Sequence, residues 1–118
     1  KVFVEIWNDP LMTAGKGSFV DELITLAGGT NIAHDTVRPY CRFNEEEVLA
    51  RDPEIILLLY PHKQQDMEIM AGRSGWSSIA AVLNRQVFSD IDPDIFIRPG
   101  PRLIQGLKVL HEKIEAVR

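Results

Sequence analysis

The sequence lacks the features that would place it in several large protein classes. A single cysteine, Cys41, leaves no partner for a disulfide within the chain. The apolar run at residues 55–59 is far shorter than the roughly 20 residues that a membrane-spanning helix needs. No lysine- or arginine-rich run is present, and the formal net charge is −4. That charge argues against a nucleic-acid-binding surface, because such surfaces cluster basic side chains.

The motifs of phosphate-binding and thiol enzymes are incomplete. Residues 15–18 resemble the end of a phosphate-binding loop, which needs a glycine at position 10 and a serine or threonine directly after the lysine. Pro10 and Gly17 occupy those two positions, so the segment is better interpreted as a tight turn before a helix. Cys41 has no identifiable base partner, and a lone cysteine is more often a small apolar side chain than a nucleophile.

The metal-binding motifs are incomplete as well. Residues 90–94 alternate aspartate with other residues like the start of a calcium loop, but Ile95 and Pro101 stand where that loop needs glycine and glutamate. His111 begins a His-Glu-x-x-His pattern in which Glu115 replaces the second histidine. The sequence alone therefore indicates neither a metal site nor a catalytic dyad.

What the chain does contain is typical of one soluble globular domain. It has 118 residues, of which 45% are hydrophobic and 25% are charged, and this suits a single compact core. It shows no repeat and no low-complexity linker, so we expect residues 1–118 to form a single domain. The first residues read directly as a strand, and we therefore expect further sequence upstream of them.

Alternating strands and helices indicate an α/β fold. Residues 2–6 and 54–59 are apolar runs that predict strands, and the second suits a central parallel strand covered on both faces. Ser18, with an acidic residue three positions later, is typical of a helix start. We expect a three-layer α/β/α domain with a small, mostly parallel sheet. The other predicted elements are helices at residues 18–27, 44–51, 63–71, 76–83 and 102–118, a strand at 87–88, and irregular connections at 11–17, 30–43 and 90–101.

Five segments, in order and covering essentially the whole chain, resemble one known family. They are residues 7–19, 27–33, 46–57, 75–88 and 98–103. Together they are similar to the C-terminal lobe of the periplasmic cobalamin and iron-siderophore binding proteins of ABC importers, the TroA-like receptors with a helical backbone. Each segment alone is ordinary capping or turn chemistry, whereas their order and spacing together are specific.

The resemblance implies a two-lobe protein with its ligand in the cleft between the lobes, joined by one long helix. This chain would supply the C-terminal lobe only, without the N-terminal lobe or the linking helix. The implied function is not enzymatic: the protein captures a metal chelate, either cobalamin or another corrinoid or a ferric siderophore, and delivers it to an ABC permease and its ATPase. No cofactor other than this ligand and no nucleic acid is implied.

The resemblance also implies a location and a route to the membrane. The parent protein would carry a signal peptide and work in the periplasm or anchored outside the cytoplasm by a lipid. It would touch the membrane only through the permease or that anchor.

The expected ligand site lies on loops at the carboxyl ends of the strands, where open α/β sheets bind ligands. Three segments qualify, at residues 9–17, 38–42 and 94–98. The resemblance implies that Met12 and Tyr40 contact the ligand. Arg42, Phe96 and Arg98 are further ligand-binding candidates, because they lie on the same segments. Each has an ordinary structural alternative: a core contact for Met12, packing on its own lobe for Tyr40, a solvated surface position for the arginines, and a cover over the sheet for Phe96.

One glutamate is expected to dock the permease. The resemblance places this role on Glu46, near the start of the second helix. Glu45 and Glu47 are its neighbours, and acidic residues in a first helical turn are also what the helix dipole favours. We expect Glu47 to act as the capping-box partner of Asn44.

Two other classes of function stay open from the residues alone. A small α/β enzyme would need an intact phosphate loop or a catalytic dyad. An interaction domain would dimerise through an exposed apolar face, because large exposed apolar patches often mark sites of protein–protein contact.

Overall fold

The structure, a computed structural model, describes residues 1–36, 38–60, 64–89 and 102–117. This part of the chain contains five strands, five helices and one short 3₁₀ turn. The strands are β1 (Val2–Asn8), β2 (Leu11–Ala14), β3 (Tyr40–Arg42), β4 (Ile55–Leu58) and β5 (Val87–Phe88). The helices are α1 (Phe19–Leu26), α2 (Glu45–Arg51), α3 (Asp66–Ala71), α4 (Ala80–Leu83) and α5 (Arg102–Ala116), and the 3₁₀ turn is Trp76–Ser78.

The strands form one mixed sheet in the order β3-β2-β1-β4-β5. β1 pairs in parallel with β4, which pairs in parallel with β5, whereas β2 is antiparallel to both of its neighbours. Four of the five strands therefore run in the same direction and β2 alone is reversed. The predicted α/β class and mostly parallel sheet are confirmed, with an antiparallel edge that the sequence analysis does not include.

The two strands at that edge lie in segments predicted to be irregular. β2 occupies the first half of the predicted loop at residues 11–17, and β3 lies near the end of the predicted connection at residues 30–43. Both predictions are wrong for the same reason. Strands of four and three residues carry too short an alternation of polar and apolar residues to be recognised, and pairing with β1 rather than local preference holds them.

Helices cover both faces of the sheet, as a three-layer fold requires. One layer is formed by α1 and α5, which pack with alternate residues of β1 and β4. The other contains α2, α3, the 3₁₀ turn and α4, which pack on the opposite face of the same strands. The largest fully buried apolar side chains are Phe3, Ile24, Ile55, Ile56, Leu57, Leu58, Met70, Trp76, Ile79 and Leu110.

The two predicted helix starts are confirmed, but one cap differs in detail. The Ser18 hydroxyl accepts a hydrogen bond from the Asp21 N–H at 3.0 Å, as the spacing predicts. The Asn44 side chain accepts from the Glu46 N–H at 2.8 Å. The residue that follows α1's C-cap is Gly28, whose φ of +94° lies in the left-handed region that glycine favours.

The predicted helix at residues 76–83 is interrupted. Ile79 is extended, with φ −69° and ψ 137°, and it separates the 3₁₀ turn from α4. Its side chain is fully buried in the core, and a carboxylate oxygen of Asp52 accepts from the Ala80 N–H at 2.8 Å. The buried side chain of Ile79 and the cap that Asp52 provides from outside the segment thus divide a segment that the sequence predicts to be one helix.

The remaining predictions differ less. The helix predicted at residues 63–71 is described from Asp66, and the final helix and the strand at residues 87–88 are confirmed. The predicted loop at residues 90–101 lies outside the described residues. Of the helices in the described ranges, none combines the length and the apolar character that crossing a bilayer requires.

Candidate functional site

The strands β1 and β4 end at the same edge of the sheet, which we call the carboxyl rim. Asn8 and Leu58 are the last residues of these strands. The turn at residues 9–10 joins β1 to β2 at this rim, and β2 then runs back along the sheet. Because ligands of open α/β sheets bind at this edge, it is the first place to look for the expected site.

Three of the five expected ligand-binding residues share one face at the antiparallel edge. Met12 on β2 is paired directly with Arg42 on β3, and Ala14 is paired with Tyr40. Paired residues of antiparallel strands point to the same face, and so do alternate residues along one strand. Met12, Tyr40 and Arg42 therefore form one surface, which we call the edge patch. They lie on paired strands and not on loops, which corrects the sequence-based placement.

The tyrosine and the arginine of the edge patch are free to meet another molecule. Tyr40 is 49% exposed and Arg42 is exposed, whereas Met12 is half-buried. Neither Tyr40 nor Arg42 forms a side-chain hydrogen bond, ring contact or ion pair with another residue in the part of the chain that the structure describes. Tyr40 stands at the amino end of β3, and Arg42 is two residues closer to the carboxyl rim.

The connection before β3 is held in place by backbone contacts. The Gly15 N–H donates to the Pro39 carbonyl at 2.7 Å, and the Thr36 hydroxyl donates to the Arg38 carbonyl at 3.0 Å. A Cβ atom at Gly15 would lie 1.7 Å from the Thr36 Oγ1 atom, so only glycine fits this close approach. The position of Tyr40 is thus set by the segment that precedes it.

The last two expected ligand-binding residues, Phe96 and Arg98, lie outside the described residues. Their roles stay predictions.

A buried charged cluster lies on β1, and the sequence analysis does not identify it. The Glu5 side chain is 0% exposed, and the Arg73 guanidinium donates to both of its carboxylate oxygens, at 2.5 and 2.8 Å. The Tyr60 hydroxyl donates to the Glu5 Oε2 atom at 2.5 Å. A glutamate within an apolar strand was the one available signal, because a carboxylate there needs partners.

The pKa values of the two donors in this cluster, Tyr60 and Arg73, are both raised. Burial raises the pKa of the Tyr60 phenol, and the hydrogen bond to Glu5 and its negative charge raise it further. Burial lowers the pKa of Arg73, but the hydrogen bond and the charge of Glu5 outweigh this effect, so the pKa is raised overall. Both donors therefore keep their protons, which makes the cluster a structural clamp.

An exposed tryptophan stands above this clamp at the carboxyl rim. Trp7 is 45% exposed, and its ring meets the ring of Tyr60 edge-on, with centroids 5.9 Å apart and planes at 65°. The indole N–H donates to the Asp9 carbonyl at 3.0 Å. Beneath, the Arg73 guanidinium lies 4.5 Å from the centre of the Trp76 ring, which is a favourable cation–π distance.

A second polar cluster, at the start of α1, is structural. The His34 Nδ1 atom lies 2.9 Å from Asp21 Oδ2, and Asn31 donates to Asp21 Oδ1 at 2.9 Å. The nearby Ser18 hydroxyl donates to a backbone carbonyl at 2.7 Å while it caps α1. Among the described residues this histidine–aspartate pair has no free nucleophile beside it, which a hydrolase triad requires.

The charges beside that cluster are paired with one another. Arg51 donates to the Ile32 carbonyl and to both carboxylate oxygens of Asp35, at 2.7 and 3.0 Å. The hydrogen bond from Arg51 lowers the pKa of Asp35. A pocket of about 420 Å³ adjoins these residues and Lys1, at the start of β1 and thus at the edge opposite the carboxyl rim. No group of three or more metal-ligating side chains occurs in the described ranges.

The expected docking glutamate is exposed on the first turn of α2. Neither Glu45 nor Glu46 forms an ion pair with any residue that the structure describes. The Glu47 carboxylate instead accepts from the Arg51 Nε atom at 3.1 Å, one helical turn on. Glu47 is therefore not the capping partner of Asn44, and that prediction is wrong because the arginine offers a charged donor at the favourable i,i+4 spacing.

Comparison with known proteins places the fold in a family. The family described as periplasmic binding protein matches residues 2–93. The chain belongs to this family. An ABC transporter substrate-binding lipoprotein of Bacillus subtilis, YvrC, itself uncharacterized, is 35% identical over 96% of this chain. A vitamin B12-binding protein of Salmonella paratyphi A is 30% identical over 99% of it.

Solved structures of the family have the same fold. A possible iron-binding, periplasmic solute-binding protein of Staphylococcus epidermidis superposes with a TM-score of 0.84 at 31% identity, covering 96% of this chain and 44% of that one. The periplasmic vitamin B12-binding protein BtuF of Vibrio cholerae has a TM-score of 0.79 at 26% identity, covering 98% of this chain and 44% of that one.

The match covers only part of each relative. The chain spans 35% of the Bacillus protein and 41% of the Salmonella protein. The fold and the family thus rest on nearly the whole of this chain, and the relatives named above are described as substrate-binding, vitamin B12-binding or solute-binding proteins.

Removing one partner of the clamp has a testable cost in stability. Replacing Arg73 by methionine leaves the buried Glu5 carboxylate without its cation, and we expect the free energy of unfolding to fall by about 3 to 5 kcal/mol. Urea denaturation followed by circular dichroism measures this change. The double variant Glu5→Leu, Arg73→Met should recover most of the loss, because it removes the unpaired charge. A loss below about 1 kcal/mol in the single variant would contradict the clamp.

The raised pKa of Tyr60 predicts a loss of stability at alkaline pH. The unfolded chain ionises tyrosine near pH 10, whereas the folded state holds this proton to higher pH, so unfolding becomes more favourable as pH rises above about 10. Tyr60→Phe should therefore flatten the decline of the urea midpoint between pH 9.5 and 11. Parallel curves for the variant and the parent would show that Tyr60 is not protected.

Proposed function

We propose that the chain is the C-terminal lobe of a two-lobe binding protein that captures a metal chelate for an ABC importer. The observation that carries the proposal is the end-to-end match of this chain to 41% of a vitamin B12-binding protein, with an exposed, unpaired surface at one edge of its sheet. In this proposal residues 1–118 are one wall of the binding cleft. The other wall is a second lobe that precedes it in the full-length gene product.

The cargo is a corrinoid, with a ferric siderophore as the second candidate. The edge patch supports this assignment because it combines an aromatic plate, Tyr40, with a cation, Arg42, on one face. A tyrosine ring buries a large area of a flat ligand at a small cost in entropy. The guanidinium suits the phosphate of a corrinoid or the acidic groups of a siderophore. Phe96 and Arg98 belong to the same proposed site.

The protein acts by binding and release and not by catalysis. The polar clusters of the described residues support this proposal because their donors are engaged: the Ser18 hydroxyl donates to the Gly15 carbonyl, and Arg73 and Tyr60 donate to Glu5. No cofactor of its own is needed, since the metal arrives within the cargo.

Glu46 docks the lobe onto the permease. Its carboxylate is exposed and stands at the amino end of α2 beside Glu45, whereas Glu47 is held by Arg51. An exposed carboxylate that meets an arginine on the transporter orients the complex more than it tightens it. The complex includes the ATPase that drives the permease.

The proposed location is outside the cytoplasm, in the periplasm or on a lipid anchor. The lipoprotein relative supports the anchored form, and the vitamin B12-binding relatives support the binding role. Contact with the membrane then runs only through the permease or the anchor, and nucleic acid is not a partner.

The first experiment tests the cargo. The full-length gene product is titrated with cyanocobalamin and with ferrichrome by isothermal titration calorimetry. We expect one of them to bind and Tyr40→Ala to weaken it about tenfold, which corresponds to about 1.4 kcal/mol, while Tyr40→Phe keeps most of the affinity. Leu83→Ala, an exposed position on α4, is the matched control. Absence of binding to either chelate would refute the proposed cargo class.

A second experiment separates docking from capture. Glu46→Lys should reduce uptake of the bound chelate by cells at least severalfold, because it places a cation against the permease arginine, and should leave the chelate affinity unchanged. Glu45→Lys provides the control for the loss of negative charge on the same turn. Equal effects of the two substitutions on uptake, or a parallel loss of chelate affinity, would contradict the docking role.

A further inference from the structure

An exposed aromatic side chain, Trp7, lies beside the edge patch at the carboxyl rim. Trp7 on β1 is the direct pairing partner of Met12 on β2, which is in turn the partner of Arg42 on β3. These pairings make the three residues neighbours across three adjacent strands, with a register shift in β1 between Glu5 and Trp7. We propose that Trp7 is a ligand-contacting residue for a flat or apolar face of the cargo, and that Tyr60 positions it. This inference rests on the proposed function.

The chemistry that Trp7 offers is apolar. Its indole N–H, the only polar group of the side chain, already donates to the Asp9 carbonyl at 3.0 Å. What remains exposed is ring surface, which suits the plane of a macrocycle or its methyl groups and not a phosphate. Arg73 cannot supply a nearby anion site, because both of its terminal nitrogens bind Glu5.

The ring of Trp7 is held by a chain of contacts that ends in the buried clamp. Tyr60 touches it edge-on at 5.9 Å between centroids, and the Tyr60 hydroxyl is fixed to Glu5 at 2.5 Å. Arg73 binds the same carboxylate from the other side. Hydrogen bonds at both ends of the aromatic pair therefore restrict the Trp7 ring before any ligand arrives, which lowers the entropic cost of binding.

The clamp is better explained by this positioning than by stability. A buried ion pair is often no more stable than apolar residues of similar volume, because desolvation offsets the attraction. The neighbouring core includes the apolar side chains of Phe3, Leu58 and Trp76. What an apolar replacement cannot supply is an acceptor for the Tyr60 hydroxyl, and this acceptor orients the ring beside Trp7.

The test measures chelate affinity in the full-length gene product. Isothermal titration with cyanocobalamin, or with ferrichrome if that is the chelate bound, compares Trp7→Ala, Trp7→Phe and the Leu83→Ala control. We expect Trp7→Ala to weaken binding about tenfold and Trp7→Phe to stay within about threefold, since phenylalanine keeps an apolar ring. An affinity of Trp7→Ala within twofold of the parent overturns the inference and leaves the proposed function standing. If the parent protein binds neither chelate, the proposed function fails and this inference with it.

The positioning role of Tyr60 is tested by a double-mutant cycle. Tyr60→Phe removes the hydroxyl but keeps the ring, and we expect it to weaken binding about threefold. In the Trp7→Ala background the same substitution should have no further effect, because there is no indole left to orient. Equal losses in the two backgrounds would show that Tyr60 supports the fold in general, and would overturn its positioning role.

Discussion

The buried Glu5 carboxylate is the constraint on which the carboxyl rim depends. A charge with no exposed surface needs partners that satisfy both oxygens, and they come from positions 55 and 68 residues further along the chain. Tyr60 follows β4 and Arg73 follows α3, so one side chain ties the central strand to two segments that are remote in sequence. The same contacts fix the aromatic rings above it, and the rim acquires a defined shape without any ligand.

The reversed strand β2 decides where the candidate site lies. If residues 11–14 formed a loop, Met12 would stand at the carboxyl rim and be separate from residues 40–42. Because β2 turns back along β1, it places Met12 between its pairing partners Trp7 and Arg42. The site is therefore a wall along the antiparallel edge of the sheet, continuous with the rim. A wall of this kind is open on one side, which suits one half of a cleft and not an enclosed catalytic cavity.

The sequence predicts the framework better than the site. The α/β class, β1, β4, β5 and the long helices follow from apolar runs and caps that are local properties, and the structure confirms them. The edge strands could not be predicted, since three or four residues carry little pattern and are held by pairing across the sheet. A charge within an apolar strand indicates that Glu5 needs buried partners. The sequence does not predict that these partners are Tyr60 and Arg73, because no local pattern marks a contact that forms only after folding.

The paired and unpaired charges of the described residues bear on the proposal that this chain binds a ligand rather than catalyses a reaction. The cationic and acidic groups in the interior and on the 30–36 segment are paired with one another, as in Arg51 with Asp35 and Arg73 with Glu5. Arg42 on the edge patch and Glu46 on the first turn of α2 have no such partner among the described residues. Enzymes concentrate perturbed and mutually activating groups in one cavity. Under the proposed function, Arg42 would meet the cargo and Glu46 the transporter, and each is an exposed group free for such a contact.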